Sequence, residues 1–126
     1  MLEGLLPLVT GTYNGKRMLF SFDTGATVSN FYHPFYEAEK EVITKQSAPE
    51  KVKFGGAGGF QEVTVHKLKD LDLAIGGKTA RFPTITVMTE NVNNRSRYYY
   101  GNLGQDLIKQ FERMTLDFEA MRIIFE

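Results

Sequence analysis

The chain has 126 residues, 42% of them hydrophobic, which is the size of one domain with enough apolar content to bury a core. Lysine plus arginine number 15, as do aspartate plus glutamate, and the resulting formal net charge of zero argues against nucleic acid or an anionic membrane as partner. The absence of cysteine excludes disulfides, a thiol nucleophile and a cysteine metal site, and it suits reducing and oxidising surroundings alike.

Leu5–Thr12 and Lys16–Phe22 flank Asn14-Gly15, a strong signal for a two-residue hairpin turn. The second strand carries the apolar run Leu19-Phe20-Ser21-Phe22 straight into Asp23-Thr24-Gly25-Ala26. An acid at the end of a hydrophobic strand is costly to bury unless it is hydrogen-bonded or paired. Gly25 directly after it permits a tight bend and a close backbone approach. The stretch therefore reads as a carboxylate held at a buried turn, although Asp, Thr and Gly are also ordinary turn residues. Val28–Phe31 continues extended beyond the bend, His33-Pro34 ends that strand, and Phe35–Val42 is the expected short helix, with Glu37, Glu39, Lys40 and Glu41 on its wet face.

Gly55-Gly56-Ala57-Gly58-Gly59 places four glycines in five residues, which offer no side chains to a packed strand interior. With strand-like Lys51–Phe54 before it and Gln61–Leu68 after it, the segment reads as a hairpin tip, either a flap over a ligand or a flexible surface turn. Two nucleotide motifs fail: Gln61 stands where G-x-G-x-x-G needs its last glycine, and Asp72 stands where a phosphate loop ending in Gly77-Lys78-Thr79 needs its first. Gly76-Gly77 is better read as the turn between Leu71–Ile75 and Arg81–Met88, each with period-2 apolar residues: Leu71, Leu73 and Ile75, then Ile85 and Val87.

Asn91–Tyr100 combines Arg95 and Arg97 with three tyrosines, but without a wider basic patch it reads as a surface loop running into a strand and not as a nucleic-acid grip. Asn94-Arg95-Ser96 fits the glycosylation sequon, a frequent chance match. Asp106 has the chemistry of a helix N-cap, before an apolar face of Leu107, Ile108 and Phe111. Met114–Phe118 alternates as a strand, Glu119-Ala120 turns it, and Met121–Phe125 is the last strand. Many strands with one early and one late helix predict an all-β domain over 1–126, closed or nearly closed into a barrel. His33 and His66 lie far apart without a ligand partner pattern, so a zinc or Ser-His-Asp site is unsupported. No apolar run reaches the roughly 20 residues of a membrane helix, and Met1-Leu2-Glu3-Gly4 lacks the charged-then-apolar layout of a signal peptide. The domain is compatible with a piece of a longer protein.

In this order the pieces resemble the retropepsin-like aspartic proteases, the single-lobe relatives of pepsin. Phe22-Asp23-Thr24-Gly25-Ala26-Thr27 is similar to the family's D-[ST]-G-A catalytic turn. Gly55–Gly59 lies where the family has its glycine-rich flap, Leu103-Gly104 before a short helix resembles the element that supports the catalytic loop, and Met114–Phe125 resembles the closing strand pair. One position departs: Asn102, before Leu103, stands where the family usually has an aliphatic residue. The resemblance places Asn102, Leu103 and Gly104 at the substrate groove, where the polar Asn102 implies either an altered specificity pocket or a drift of the usual substrate-binding mode.

The resemblance implies peptide hydrolysis by two carboxylates, one activating water and the other acting as acid. An Asp-[Ser/Thr]-Gly triplet occurs once, at Asp23, and Asp70, Asp72, Asp106 and Asp117 lack that setting. A working protease then needs its second acid from another chain, and a homodimer with Asp23 facing its own copy is the simplest arrangement. Thr24, Gly25 and Ala26 support the loop, the substrate is an extended polypeptide, and no metal or organic cofactor is implied. The alternative is a non-catalytic peptide-binding or assembly module that keeps the fold.

Overall fold

The computed structural model describes residues 8–56, 59–90, 99–111, 114–117 and 122–125. Strands β1 (Leu8–Tyr13) and β2 (Lys16–Phe22) form an antiparallel hairpin. Asn14 (φ 53°) and Gly15 (φ 75°) both take the left-handed conformation, so the turn twists in the same sense as the strands it joins. The extended run expected over Val28–Phe31 shortens to β3 (Asn30–Phe31), because the chain bends at Thr27 and Val28 and leaves Val28 56% exposed.

The expected single helix is two, α1 (His33–Ala38) and α2 (Lys40–Gln46), broken at Glu39 (φ −123°, ψ 25°). Pro34 sits in the first turn of α1, where its missing N–H has no intrahelical partner to lose. Glu39, assigned to the wet face by its charge, is instead buried, because its carboxylate accepts from Lys16 Nζ (2.7 Å) and Asn14 Nδ2 (2.9 Å) on the β1–β2 turn.

The glycine-rich segment falls where β4 (Glu50–Gly56) turns into β5 (Gly59–Ile75), an antiparallel pair ending at Gly56↔Gly59, while Ala57 and Gly58 lie outside the described residues. The two segments expected over Gln61–Leu68 and Leu71–Ile75 are one strand. It pairs with β6 (Lys78–Met88) in a single register interrupted only at Asp70 (φ 53°), opposite Pro83, which has no N–H to donate. Gly76 (φ 56°) and Gly77 (φ 79°) form the turn between them.

Residues 91–98, including Arg95, Arg97 and the sequon, lie outside the described residues; the chain re-enters through Tyr100 into β7 (Gly101–Leu103). The short helix α3 (Gln105–Ile108) follows, then β8 (Met114–Asp117) and β9 (Arg122–Phe125), which pair antiparallel as a separate sheet. The order β1-β2-β7-β3-β6-β5, with β1 pairing again to β5, closes a six-stranded barrel, and β4 extends beyond it from β5. The all-β expectation holds, and the barrel is closed.

Period-2 alternation fills the barrel with Phe20 and Phe22 of β2, Phe31 of β3, Leu73 and Ile75 of β5, Ile85 and Val87 of β6 and Leu103 of β7. Phe31 is the centre of its aromatic packing, with ring centroids 5.3 Å from Phe20, 4.5 Å from Phe35 and 5.8 Å from Phe82. Leu107 joins this core from α3, and Gln110 ties the end of that helix to β6 by accepting from Arg81 N (2.8 Å) and donating to Arg81 O (2.6 Å). Both histidines make local bonds: His33 Nδ1 donates to the Thr89 carbonyl (2.6 Å), and buried His66 shares a bond with Ser47 Oγ (2.8 Å). No helix among the described residues is long and apolar enough to cross a membrane.

Candidate active site

Strand β2 ends at Phe22, whose ring fills the core, and the next residue is Asp23. The turn was expected to be buried; in the single chain Asp23 is half-buried, and Thr24 and Gly25 are exposed. What fixes the turn is hydrogen bonding. Asp23 N donates to the Leu103 carbonyl (2.9 Å), which continues the parallel β2–β7 ladder one step past the strand. Asp23 Oδ1 accepts from Gly25 N (2.9 Å), and the Asp23 carbonyl accepts from Ala26 N (3.2 Å). The side chain therefore closes its own turn with one oxygen.

The segment after Leu103 clamps the far side of the same loop. Gln105 N donates to the Ala26 carbonyl (2.9 Å), and Gln105 Nε2 donates to the Thr24 carbonyl (2.6 Å). Gly104 is packed so closely that a Cβ there would lie 2.6 Å from the Ala26 carbonyl oxygen and 3.0 Å from that of Val28. Only a residue without a side chain permits this approach.

A third contact was not foreseen in the sequence. The buried Ser29 hydroxyl donates to Asp106 Oδ1 (2.5 Å) and accepts from Gly104 N (2.8 Å), while Ser29 N donates to Asp106 Oδ2 (3.0 Å). Asp106 is thus not the helix cap its residue type suggested. The N-cap of α3 is Gly104, without a side-chain cap bond, and the Asp106 carboxylate is turned onto the loop. Both carboxylate oxygens are taken by charge-assisted bonds that lock the end of the Asp23 loop to the start of the helix.

The structure thus brings Asp23, Thr24, Gly25 and Ala26 together with Leu103 and Gly104, and adds Ser29, Gln105 and Asp106. Asn102 lies beside them on β7, where its Oδ1 accepts from Ser21 Oγ (2.7 Å). Gly55, Gly56 and Gly59 belong to the β4–β5 hairpin, which is attached to the barrel through β5. The arrangement presents one carboxylate on a rigid, exposed loop at the end of a core strand. Such a group can act on a water or bind a polar ligand.

No family model matches the chain, and no curated protein matches it.

Proposed function

We propose that this chain is one half of a retropepsin-like aspartic endopeptidase that completes its site by pairing Asp23 with the Asp23 of a second copy. The observation that carries the reading is the Asp23 loop, which is braced from three sides by Leu103–Asp106 while Thr24 and Gly25 at its tip stay exposed. A loop fixed this firmly and left uncovered suits a second identical loop docking against it.

In that dimer the two carboxylates share one proton, because two negative charges at hydrogen-bond distance cannot both persist. The ionised member takes a proton from a water, whose oxygen attacks the scissile carbonyl carbon. The protonated member donates to the carbonyl oxygen, and collapse of the tetrahedral adduct sends a proton to the leaving nitrogen as the C–N bond breaks. Gly25 lets the extended substrate backbone approach, and the hairpin bearing Gly55–Gly59 covers the site and shuts out bulk solvent while the attacking water stays between the carboxyls. Cleavage is expected to be best in mildly acidic buffer, where one of the two carboxyls keeps the shared proton.

The test is cleavage of an unfolded polypeptide by wild type and Asp23→Asn. Wild type cleaves, with activity per protomer falling on dilution as dimers dissociate. Asp23→Asn loses cleavage by about 10³-fold or more with the fold intact. Equal inertness of both proteins at high concentration across a pH scan would overturn the reading in favour of a peptide-binding module.

A further inference from the structure

The alternation that sends Phe20 and Phe22 into the barrel sends Ser21 and Asp23 to the opposite face. Asn102 is the register partner of Ser21 across β2–β7, Asn30 that of Asn102 across β3–β7, and Thr86 that of Asn30 across β3–β6. Each is flanked along its strand by core residues, namely Leu103, Phe31, and Ile85 with Val87, so all four side chains share Asp23's face. A row of uncharged hydrogen-bonding side chains, Ser21–Asn102–Asn30–Thr86, therefore crosses four strands beside the carboxylate. Register makes them neighbours, with adjacent Cβ atoms about 5 Å apart.

The chemistry of the row is specific. Ser21 has one hydroxyl hydrogen to donate, and its Oγ lies nearer Asn102 Oδ1 (2.7 Å) than the Gly101 carbonyl oxygen (3.3 Å). This fixes the Asn102 amide with its oxygen occupied and its Nδ2 hydrogens directed away from Ser21. Asn30 next to it offers a second amide, and both side chains are half-exposed. The next residue in register is Lys67, whose charge is paired with Glu50 (3.0 Å). With no unpaired cation in the row, a carboxylate side chain gains no counter-ion, and an aliphatic one leaves the amides without partners. A primary amide both accepts from Asn102 Nδ2 and donates to the oxygen of Asn30.

Resting on the protease reading, we infer that the substrates are polypeptides with a glutamine or asparagine side chain next to the scissile bond, selected by Asn102 with Asn30. The experiment profiles cleavage of a peptide library by wild type, Asn102→Leu and Asn30→Val. Wild type is expected to favour Gln or Asn over Leu or Phe at one flanking position, by roughly three- to tenfold in kcat/KM per hydrogen bond gained. Asn102→Leu or Asn30→Val, whichever folds, reverses that order while still cleaving. An aliphatic or aromatic preference in wild type, unmoved by either substitution, would overturn the inference and leave the protease reading standing. Absence of cleavage of every peptide brings down the protease reading itself. Affinity of wild type for paired Gln and Leu peptides then tests the amide selectivity of the row by itself: tighter Gln binding, lost in Asn102→Leu, supports that selectivity, and equal or no binding overturns it.

Discussion

Ser29→Ala removes a hydroxyl that bridges the Asp23 loop to the start of α3. Ser29 is 3% exposed, and its hydroxyl serves as donor to Asp106 Oδ1 and acceptor for Gly104 N. Deleting it leaves the N–H of buried Gly104 without its acceptor, at a cost of about 1–3 kcal/mol. The lost donor to Asp106 counts for less, because that carboxylate is half-exposed and water can replace the hydroxyl, so about 0.5–1 kcal/mol is added. The expected total is about 1.5–4 kcal/mol. Asp106→Asn keeps an acceptor for Ser29 N but turns an amide onto the hydroxyl, and is expected to cost about 1 kcal/mol. Because the two residues share one network, the double variant should cost less than the sum, by at least about 0.5 kcal/mol. Urea unfolding at a fixed protomer concentration measures all three, since the proposed dimer would make apparent stability concentration-dependent. A Ser29→Ala protein within about 0.5 kcal/mol of wild type, or strictly additive losses, would refute the bridge.

Gly104→Ala drives a Cβ to 2.6 Å from the Ala26 carbonyl oxygen, a backbone atom that cannot swing aside, so the loop must shift. A loss of about 1–3 kcal/mol together with moved backbone amide resonances over residues 23–29 is expected, and an unshifted loop at full stability would contradict the packing. Tyr13 has its phenol pKa raised above 10.0, first by burial and then by the Glu39 charge. Folding therefore favours the neutral phenol: the stability tied to it is complete below the unfolded-state pKa and is lost as pH rises through the higher folded-state value. Tyr13→Phe should lose less stability than wild type between about pH 9 and 12 in paired urea titrations, and parallel curves would contradict the assignment.

The fold was legible wherever a local rule and the global packing agreed. Asn14-Gly15 and Gly76-Gly77 demand left-handed turns, and apolar alternation along Lys16–Phe22 and Arg81–Met88 specifies one buried face. Reading went astray where a distant partner outweighed the local preference. Glu39 looked like a wet helix residue by charge, but Lys16 and Asn14, 23 and 25 positions earlier, hold its carboxylate in the interior and the helix breaks there. Asp106 looked like a cap by type, but Ser29, 77 positions away, takes both its oxygens. Neither partner leaves a trace in the short windows from which helices and caps are read.

The same distinction separates the two halves of the candidate site. Asp23 could be found because a carboxylate closing an apolar strand conflicts with burial, and such a conflict is visible in one stretch of chain. The polar row beside it could not, because Ser21, Asn30, Thr86 and Asn102 become neighbours only through the register of four strands. The conflict at Asp23 is also milder in one chain than the sequence suggests, since the turn stays open to water and one oxygen already accepts Gly25 N. In the proposed dimer the desolvation cost arises only when the second loop covers the first, where a shared proton leaves one net charge in place of two. A lone protomer therefore carries Asp23 with little strain, and the cost of bringing two carboxylates together falls on the proposed pair.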